Sequence, residues 1–295
     1  MGRHCRSQGR CLGAGCCRPT MQRVTSLFDL HCHMIPGIDD GSSDLDTSLK
    51  MARMSVADGV SVIACTPHIF PSVYDNTGPD IRRRVQWLQF ELDAAGINCR
   101  LVAGCDAHIA PDLVSKLKSG LVLSVNDSRY VLVEPPHHVL PPNVDRLFFD
   151  LLAAGYVPIL THPERMSWAD GNQDLLDRLI RSGTWMQVTA GSILGGFGQQ
   201  AKRRAERMLH QGWVHIVASD AHNATQRPPT MGQAFRALCD LVGLDEAENL
   251  VKLRPLAILE NRAPLSAPAL PYREPKRYDV KTQTFFGRAT SYFCG

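Results

Sequence analysis

The feature that most constrains this chain is an alternation. Seven short apolar runs, at 27–31, 60–66, 99–105, 129–134, 157–161, 185–190 and 213–219, read as strands. A helical pattern follows each: about 44–58, 79–95, 111–119, 143–154, 172–182, 198–211 and 230–241. Ser42-Ser43-Asp44 supplies an N-terminal cap for the first helix, and Gly59 stops it. Gly96, Gly120, Gly155, Gly183 and Gly212 end later helices in the same way. Seven strand–helix units in one domain predict a parallel β/α barrel, with a doubly wound sheet as the alternative.

The strand ends favour the barrel. Strand 1 ends in His31 and His33, strand 2 in His68, strand 3 in Asp106 and strand 4 in Glu134. Strand 5 ends in His162 with Arg165 three residues on, and strand 7 in Asp220 and His222. A closed barrel brings all its strand ends to one face, where active sites collect; an open sheet does not. In His31-Cys32-His33 the two-residue period turns both imidazoles to one side, and Asp220-Ala221-His222 repeats that geometry. Asp39 and Asp40 occupy the P-G-I-D-D-G loop after strand 1, where turn chemistry accounts for one and ion binding for the other.

Nine candidate ligands follow: His31, His33, Asp40, His68, Asp106, Glu134, His162, Asp220 and His222. They exceed the needs of one ion, so two or three divalent ions are expected. Mixed imidazole and carboxylate donors suit manganese, iron, cobalt or zinc better than calcium or magnesium. Clustered divalent ions serve phosphate-ester hydrolysis. Arg165, three residues after His162, and Arg227, five after His222, could both reach the barrel mouth and hold phosphate bidentately. His108, His137, His138 and His215 are read as non-ligands, with His108 able to compensate at Asp106. Arg82–Arg84 reads as a solvated helix face.

Charge and cysteine usage bound the remaining classes. Residues 1–26 carry +5 and residues 266–295 carry +3, so within a total of +3 the stretch between them carries −5. An acidic domain argues against a nucleic-acid partner. The ten Cys include no C-x-x-C pair, which points to reduced thiols and a cytoplasmic setting. No apolar run approaches a membrane span, and the N-terminus lacks the apolar core of a signal peptide. Residues 1–26 and 266–295 are expected to be disordered tails flanking one domain at 27–265, with Met21 an alternative start. Cys17 and Arg23 match the C-x5-R spacing of thiol phosphatases, but R-P-T-M-Q between them lacks the glycines of a phosphate cradle.

The stretches D-L-H-C-H, I-D-D-G, T-P-H, N-D-S-R-Y-V-L-V-E, H-P-E-R and A-S-D-A-H-N-x-x-x-R-P-P resemble the PHP (polymerase and histidinol phosphatase) superfamily over about residues 27–260. The likeness is strongest to its bacterial protein-tyrosine phosphatases of capsule and exopolysaccharide synthesis. The resemblance implies a distorted seven-stranded barrel and a trinuclear site, usually with manganese. It implies hydrolysis of phosphotyrosine on a partner tyrosine kinase by attack of metal-bound hydroxide. It carries over His31, His33, Asp40, His68, Glu134, His162, Asp220 and His222 as ligands, and Arg165 and Arg227 as phosphate binders. Asp106 stands where the family usually has Glu. The alternatives are a small-molecule phosphatase acting on a histidinol-phosphate-like substrate and a non-catalytic metal-stabilised binding module. An amidohydrolase is disfavoured because none of the seven Lys falls in a predicted strand. A homo-oligomer is left open.

Overall fold

Every residue of β1 (Leu27–Cys32) is buried, as a strand covered on both faces requires. The computed structural model describes residues 26–271. The other strands are β2 (Val60–Cys65), β3 (His68–Ile69), β4 (Arg100–Ala103), β5 (Asp106–His108), β6 (Tyr130–Glu134), β7 (Val157–Thr161), β8 (Trp185–Thr189) and β9 (Ile216–Ala218). They form two parallel sheets, ordered β1-β2-β4 and β3-β5-β6-β7-β8-β9. The parallel α/β architecture expected from the alternation is present. Nine strands stand where seven were expected, because the second and third are each followed, after a break, by a short further strand, β3 and β5.

The interruptions have local causes. Pro67 has no N–H to give and separates β2 from β3. Thr66, just before it, turns its hydroxyl to accept from Cys32 N at 3.0 Å. Gly104-Cys105 separates β4 from β5, though single bonds carry the pairing across: Gly104 N donates to Cys65 O and Asp106 N to Pro67 O, both at 3.1 Å. His68 and Asp106 therefore open new strands instead of closing old ones. Where the sheets' outer edges meet, Cys32 bridges Ala221 in parallel. Asp220 N donates to His31 O at 2.7 Å there, and His33 N to Ala221 O at 2.9 Å.

The helices are α1 (Leu45–Ala57), α2 (Gly78–Ala94), α3 (Leu113–Lys118), α4 (Val144–Ala153), α5 (Gln173–Arg181), α6 (Ala190–Leu194), α7 (Gly198–His210), α8 (Met231–Val242), α9 (Leu244–Glu248) and α10 (Arg254–Leu259). Asp44 caps α1 as expected, its carboxylate accepting from Thr47 N at 2.8 Å, an interaction worth about 1 kcal/mol. The sequence reading missed α6, α9, α10 and the π-helical turn Asn249–Leu253 that joins the last two. Buried Arg254 organises this C-terminal part, meeting Glu246 at 2.8 and 3.0 Å and donating to Pro268 O and Ala269 O. The chain just past 265 is thus tied to the domain. The expected tails otherwise, Met21 and the Cys17/Arg23 pair lie outside the described residues.

Alternate residues of the strands serve two apolar clusters. On β6, Val131 and Val133 join the large cluster under the helices, whereas Tyr130 and Leu132 join a smaller one with Phe28, Leu30, Ile159, Trp185 and Ile216. Each such aliphatic side chain contributes about 1.5–3 kcal/mol on burial. Two residues beyond Leu132 comes Glu134, and two beyond Trp185 comes Gln187. The small cluster is thus the floor beneath the strand ends that carry the polar site. Cys32, Cys65, Cys99 and Cys105 are buried free thiols.

Candidate metal centre

All nine residues singled out above converge. Five groups bring ligand atoms within 4.8 Å of one another: His33/Asp40/His68/His222, His31/His33/Asp220, His31/Asp106/His162, His68/Asp106/Glu134 and Glu134/His137/His162. Membership overlaps, so the groups form one continuous cluster. His31 Nε2 lies 3.1 Å from His33 Nε2 and 3.4 Å from both Asp106 Oδ2 and Asp220 Oδ1. Cys32 between them points away, as the two-residue period demands.

Backbone features aim these side chains. Asp39 Oδ2 sits 2.8 Å from His33 Nδ1 and accepts from His68 N at 3.0 Å. Asp39 thus holds the His33 imidazole and the backbone of His68, while Asp40 joins a donor group. A Cβ on Gly41 would lie 2.3 Å from His33 O, so only glycine lets this loop fold onto the strand end. His162 and Asp220 hold left-handed backbones, with φ of 34° and 49°. That conformation costs about 1–3 kcal/mol for a non-glycine residue and persists where the surroundings impose it.

Three supporting residues were not foreseen. Gln187 on β8, whose strand end had no expected site residue, places Oε1 2.9 Å from His31 Nδ1. Buried Asp29 accepts from Ser219 N at 2.9 Å and Ser219 Oγ at 2.5 Å, fastening β1 to the loop that carries Asp220. Phe197 lies 4.3 Å below the Arg165 guanidinium and 5.6 Å from that of Arg227. Asp29 was visible in D-L-H-C-H as a carboxylate inside a strand; Gln187 and Phe197 carried no local signal.

Arg165 and Arg227 meet on one atom. Arg165 Nη1 pairs with Asp220 Oδ2, and Arg227 Nη2 donates to the same oxygen at 2.7 Å. Asn223 shapes the loop that presents Arg227, its Oδ1 accepting from the N–H groups of Thr225, Gln226 and Arg227 at 3.0, 2.7 and 3.1 Å.

Electrostatics fit a cation centre. Burial opposes charge on Asp220, yet His31, His33, Arg227 and Arg165 outweigh it and hold the carboxyl well below the usual range. Burial likewise opposes a charged His33, but Asp39 and Asp220 push it up to about 10. Burial and the His33 charge press His222 down to about 4. Both oxygens of Asp106, together with His162 Nδ1 and His222 Nε2, are buried without a hydrogen-bond partner. Buried polar atoms are rarely left so unless an ion or water completes them. Unpartnered carboxylate and imidazole atoms facing one another are the donor set that divalent cations complete.

Two expectations about histidines change. His108, considered as a substitute for Asp106, stacks on Phe70 at 3.8 Å and joins none of the donor groups, whereas Asp106 itself joins two. His137, read as a bystander, does join one. His138 and His215 stay outside the groups, and His215 instead accepts from Met186 N at 3.0 Å. Arg82 pairs with Asp127, and Arg83 and Arg84 with Asp80, as a solvated face would.

A family model described as "Capsular polysaccharide synthesis, CpsB/CapC" matches residues 27–260. The chain is 36% identical over 201 residues to the tyrosine-protein phosphatase YwqE of Bacillus subtilis, covering 68% of this chain and 79% of that one. It is 29% identical over 254 residues to the putative tyrosine-protein phosphatase CapC of Staphylococcus aureus, covering 86% of this chain and all of that one. Among solved structures it matches one reported with YwqE of Bacillus subtilis and CpsB of Streptococcus pneumoniae, described as metal-dependent tyrosine phosphatases. That match has a TM-score of 0.77 at 33% identity and covers 80% of this chain and 95% of the other. The phosphotriesterase homology protein of Escherichia coli, at a TM-score of 0.50 and 10% identity, shares the fold alone. With the family match spanning nearly all of the described residues, the chain belongs to the CpsB/CapC family.

Proposed function

We propose that this protein is a metal-dependent protein-tyrosine phosphatase acting on the phosphotyrosine-bearing tail of a tyrosine kinase linked to capsule or exopolysaccharide synthesis. One observation carries the reading: two guanidinium groups converge on Asp220, which is itself part of a donor group. An anion site thus adjoins a cation centre, as phosphoryl transfer requires. The relatives named as tyrosine-protein phosphatases point the same way.

The ligands are His31, His33, Asp40, His68, Asp106, Glu134, His162, Asp220 and His222. Two or three divalent ions fit this set, manganese first. Bound there, the ions supply a nucleophilic water at neutral pH and offset charge on the phosphoryl oxygens. The chain's own residues do the rest. Arg165 and Arg227 bind phosphoryl oxygens through their planar forks. Asp220 holds both guanidinium groups in place, and Phe197 supports them from beneath. A phenolic leaving group, with a pKa of about 10, needs less proton donation than an alkyl alcohol. Tyr74, stacked 5.6 Å from His68, adds aromatic surface suited to an aryl phosphate. The two sheets are read as one distorted seven-stranded barrel, with β2/β3 and β4/β5 each a broken single strand. A cytoplasmic location suits buried, reduced thiols; among the described residues no helix is long and apolar enough to cross a membrane.

Comparing hydrolysis of a phosphotyrosyl peptide with that of histidinol phosphate tests the substrate class. The proposal expects kcat/KM to favour the peptide by at least about a hundredfold, some 2.7 kcal/mol of transition-state binding. Equal or reversed preference would make the protein a small-molecule phosphatase.

A further inference from the structure

We infer that His137 is an additional metal ligand, binding through Nε2 to an ion that Glu134 shares with His162. The inference rests on reading the donor groups as ion sites and adds a residue to them.

Glu134 faces two ways. Its Oε2 lies 3.4 Å from His68 Nδ1, toward the group that includes Asp106. Its Oε1 lies 3.2 Å from His137 Nε2 and 3.5 Å from His162 Nε2. The two carboxylate oxygens thus serve different sets of imidazoles, which is the geometry of a bridging carboxylate. The His137 and His162 rings sit 4.9 Å apart at 64°, close enough to share one ion with Glu134.

The loop bearing His137 is fixed in advance. Pro135 and Pro136 restrict the backbone immediately before it. Trp168 Nε1 donates to Pro136 O at 2.9 Å, while Ser167 N and Ser167 Oγ donate to His137 O at 2.9 and 3.2 Å. Those three bonds come from the segment just after Arg165. They tie the position of His137 to the loop that also carries His162. A ligand held this way loses little freedom on binding an ion. His138, next in sequence, has the same side chain but joins none of the donor groups, which makes it the natural control.

The test is calorimetric titration of metal-free full-length protein with Mn2+, with the ion content of the loaded protein measured alongside. His137→Ala should bind one ion at least about tenfold more weakly than wild type, or lose it. The remaining ions should bind as before, and His138→Ala should match wild type. His137 is partly exposed, so truncation opens no sealed cavity; far-UV circular dichroism verifies the fold. His137→Gln keeps the bulk, removes the imidazole donor and should show the same loss. Unchanged affinity and stoichiometry in either folded variant overturns the inference while leaving the metal centre intact. Failure of the wild type to take up Mn2+ overturns both.

Discussion

Asp39 Oδ2 stands 2.8 Å from His33 Nδ1 and within a hydrogen bond of His68 N. One carboxylate therefore orients two candidate ligands without joining a donor group. Asp39→Ala should weaken Mn2+ binding by about 10–100-fold, the usual effect of removing such a supporting group. Titration of the metal-free variant measures this, with circular dichroism expected to match wild type. Wild-type affinity would show that the loop is set by Gly41 alone.

Arg165 and Arg227 should matter through their shape as well as their charge. Arg165→Ala or Arg227→Ala should lower kcat/KM for a phosphotyrosyl peptide by about 10²–10³-fold, the range seen when one donor to a developing anion is removed. Arg227→Lys should rescue little, because a single ammonium cannot reproduce a planar fork. Steady-state kinetics decide. Full rescue by lysine would reduce the contact to simple charge.

Phe197 supports both guanidinium groups from below, and a Cβ on Gly191 would come within 2.9 Å of its ring. Cation–π contacts at partly exposed sites contribute about 1 kcal/mol. Phe197→Leu should therefore cost roughly fivefold in kcat/KM, mostly through KM, and Phe197→Tyr should restore it. A variant that binds inorganic phosphate as wild type does would remove Phe197 from the anion site.

Acid stability offers a test away from the metal centre. Burial first, and then Arg254, hold His215 well below its ordinary pKa. A histidine depressed in the folded state contributes stability that is complete above about pH 6.5 and lost as pH falls toward its folded value. One such proton gives a slope of about 1.4 kcal/mol per pH unit. Urea unfolding of metal-free protein between about pH 7 and pH 5 should steepen accordingly. His215→Asn should flatten that slope by one proton's worth. An unchanged slope would mean that His215 takes up its proton as readily in the folded protein as in the unfolded chain.

Much of this organisation was legible in the sequence because it is periodic. Strand runs, helix stops and the Asp44 cap are local signals, and the structure keeps them. Eight of the nine candidate ligands stand out as polar residues at the ends of apolar runs, and Asp40 as a carboxylate in the loop after the first of them. Gln187 does not, since one amide inside W-M-Q-V-T reads as an ordinary half-buried strand position. Phe197 follows two glycines in a stretch whose packing partners, Arg165 and Arg227, lie far away in sequence. Nothing in P-P-H-H distinguishes His137 from His138. Only the tertiary contacts with Ser167, Trp168 and Glu134 do. The breaks after Cys65 and Ala103 carry no distinct signal, because Pro67 and Gly104 sit at the ends of apolar runs, where a stop and a break look alike.

The central claim is that metal ions, and not a thiol, support catalysis. Among the described residues Cys32, Cys65, Cys99 and Cys105 are buried, Cys239 is partly buried, and none of the five joins a donor group. Burial pushes the Cys99 and Cys105 thiols up to about 12, far from a reactive thiolate. The most direct measurement is phosphotyrosyl-peptide hydrolysis by full-length protein under two treatments: a chelator followed by added Mn2+, and a thiol-alkylating reagent. The account predicts that chelation abolishes turnover, that Mn2+ restores it and that alkylation leaves it intact. Activity that survives chelation and is lost on alkylation would contradict it.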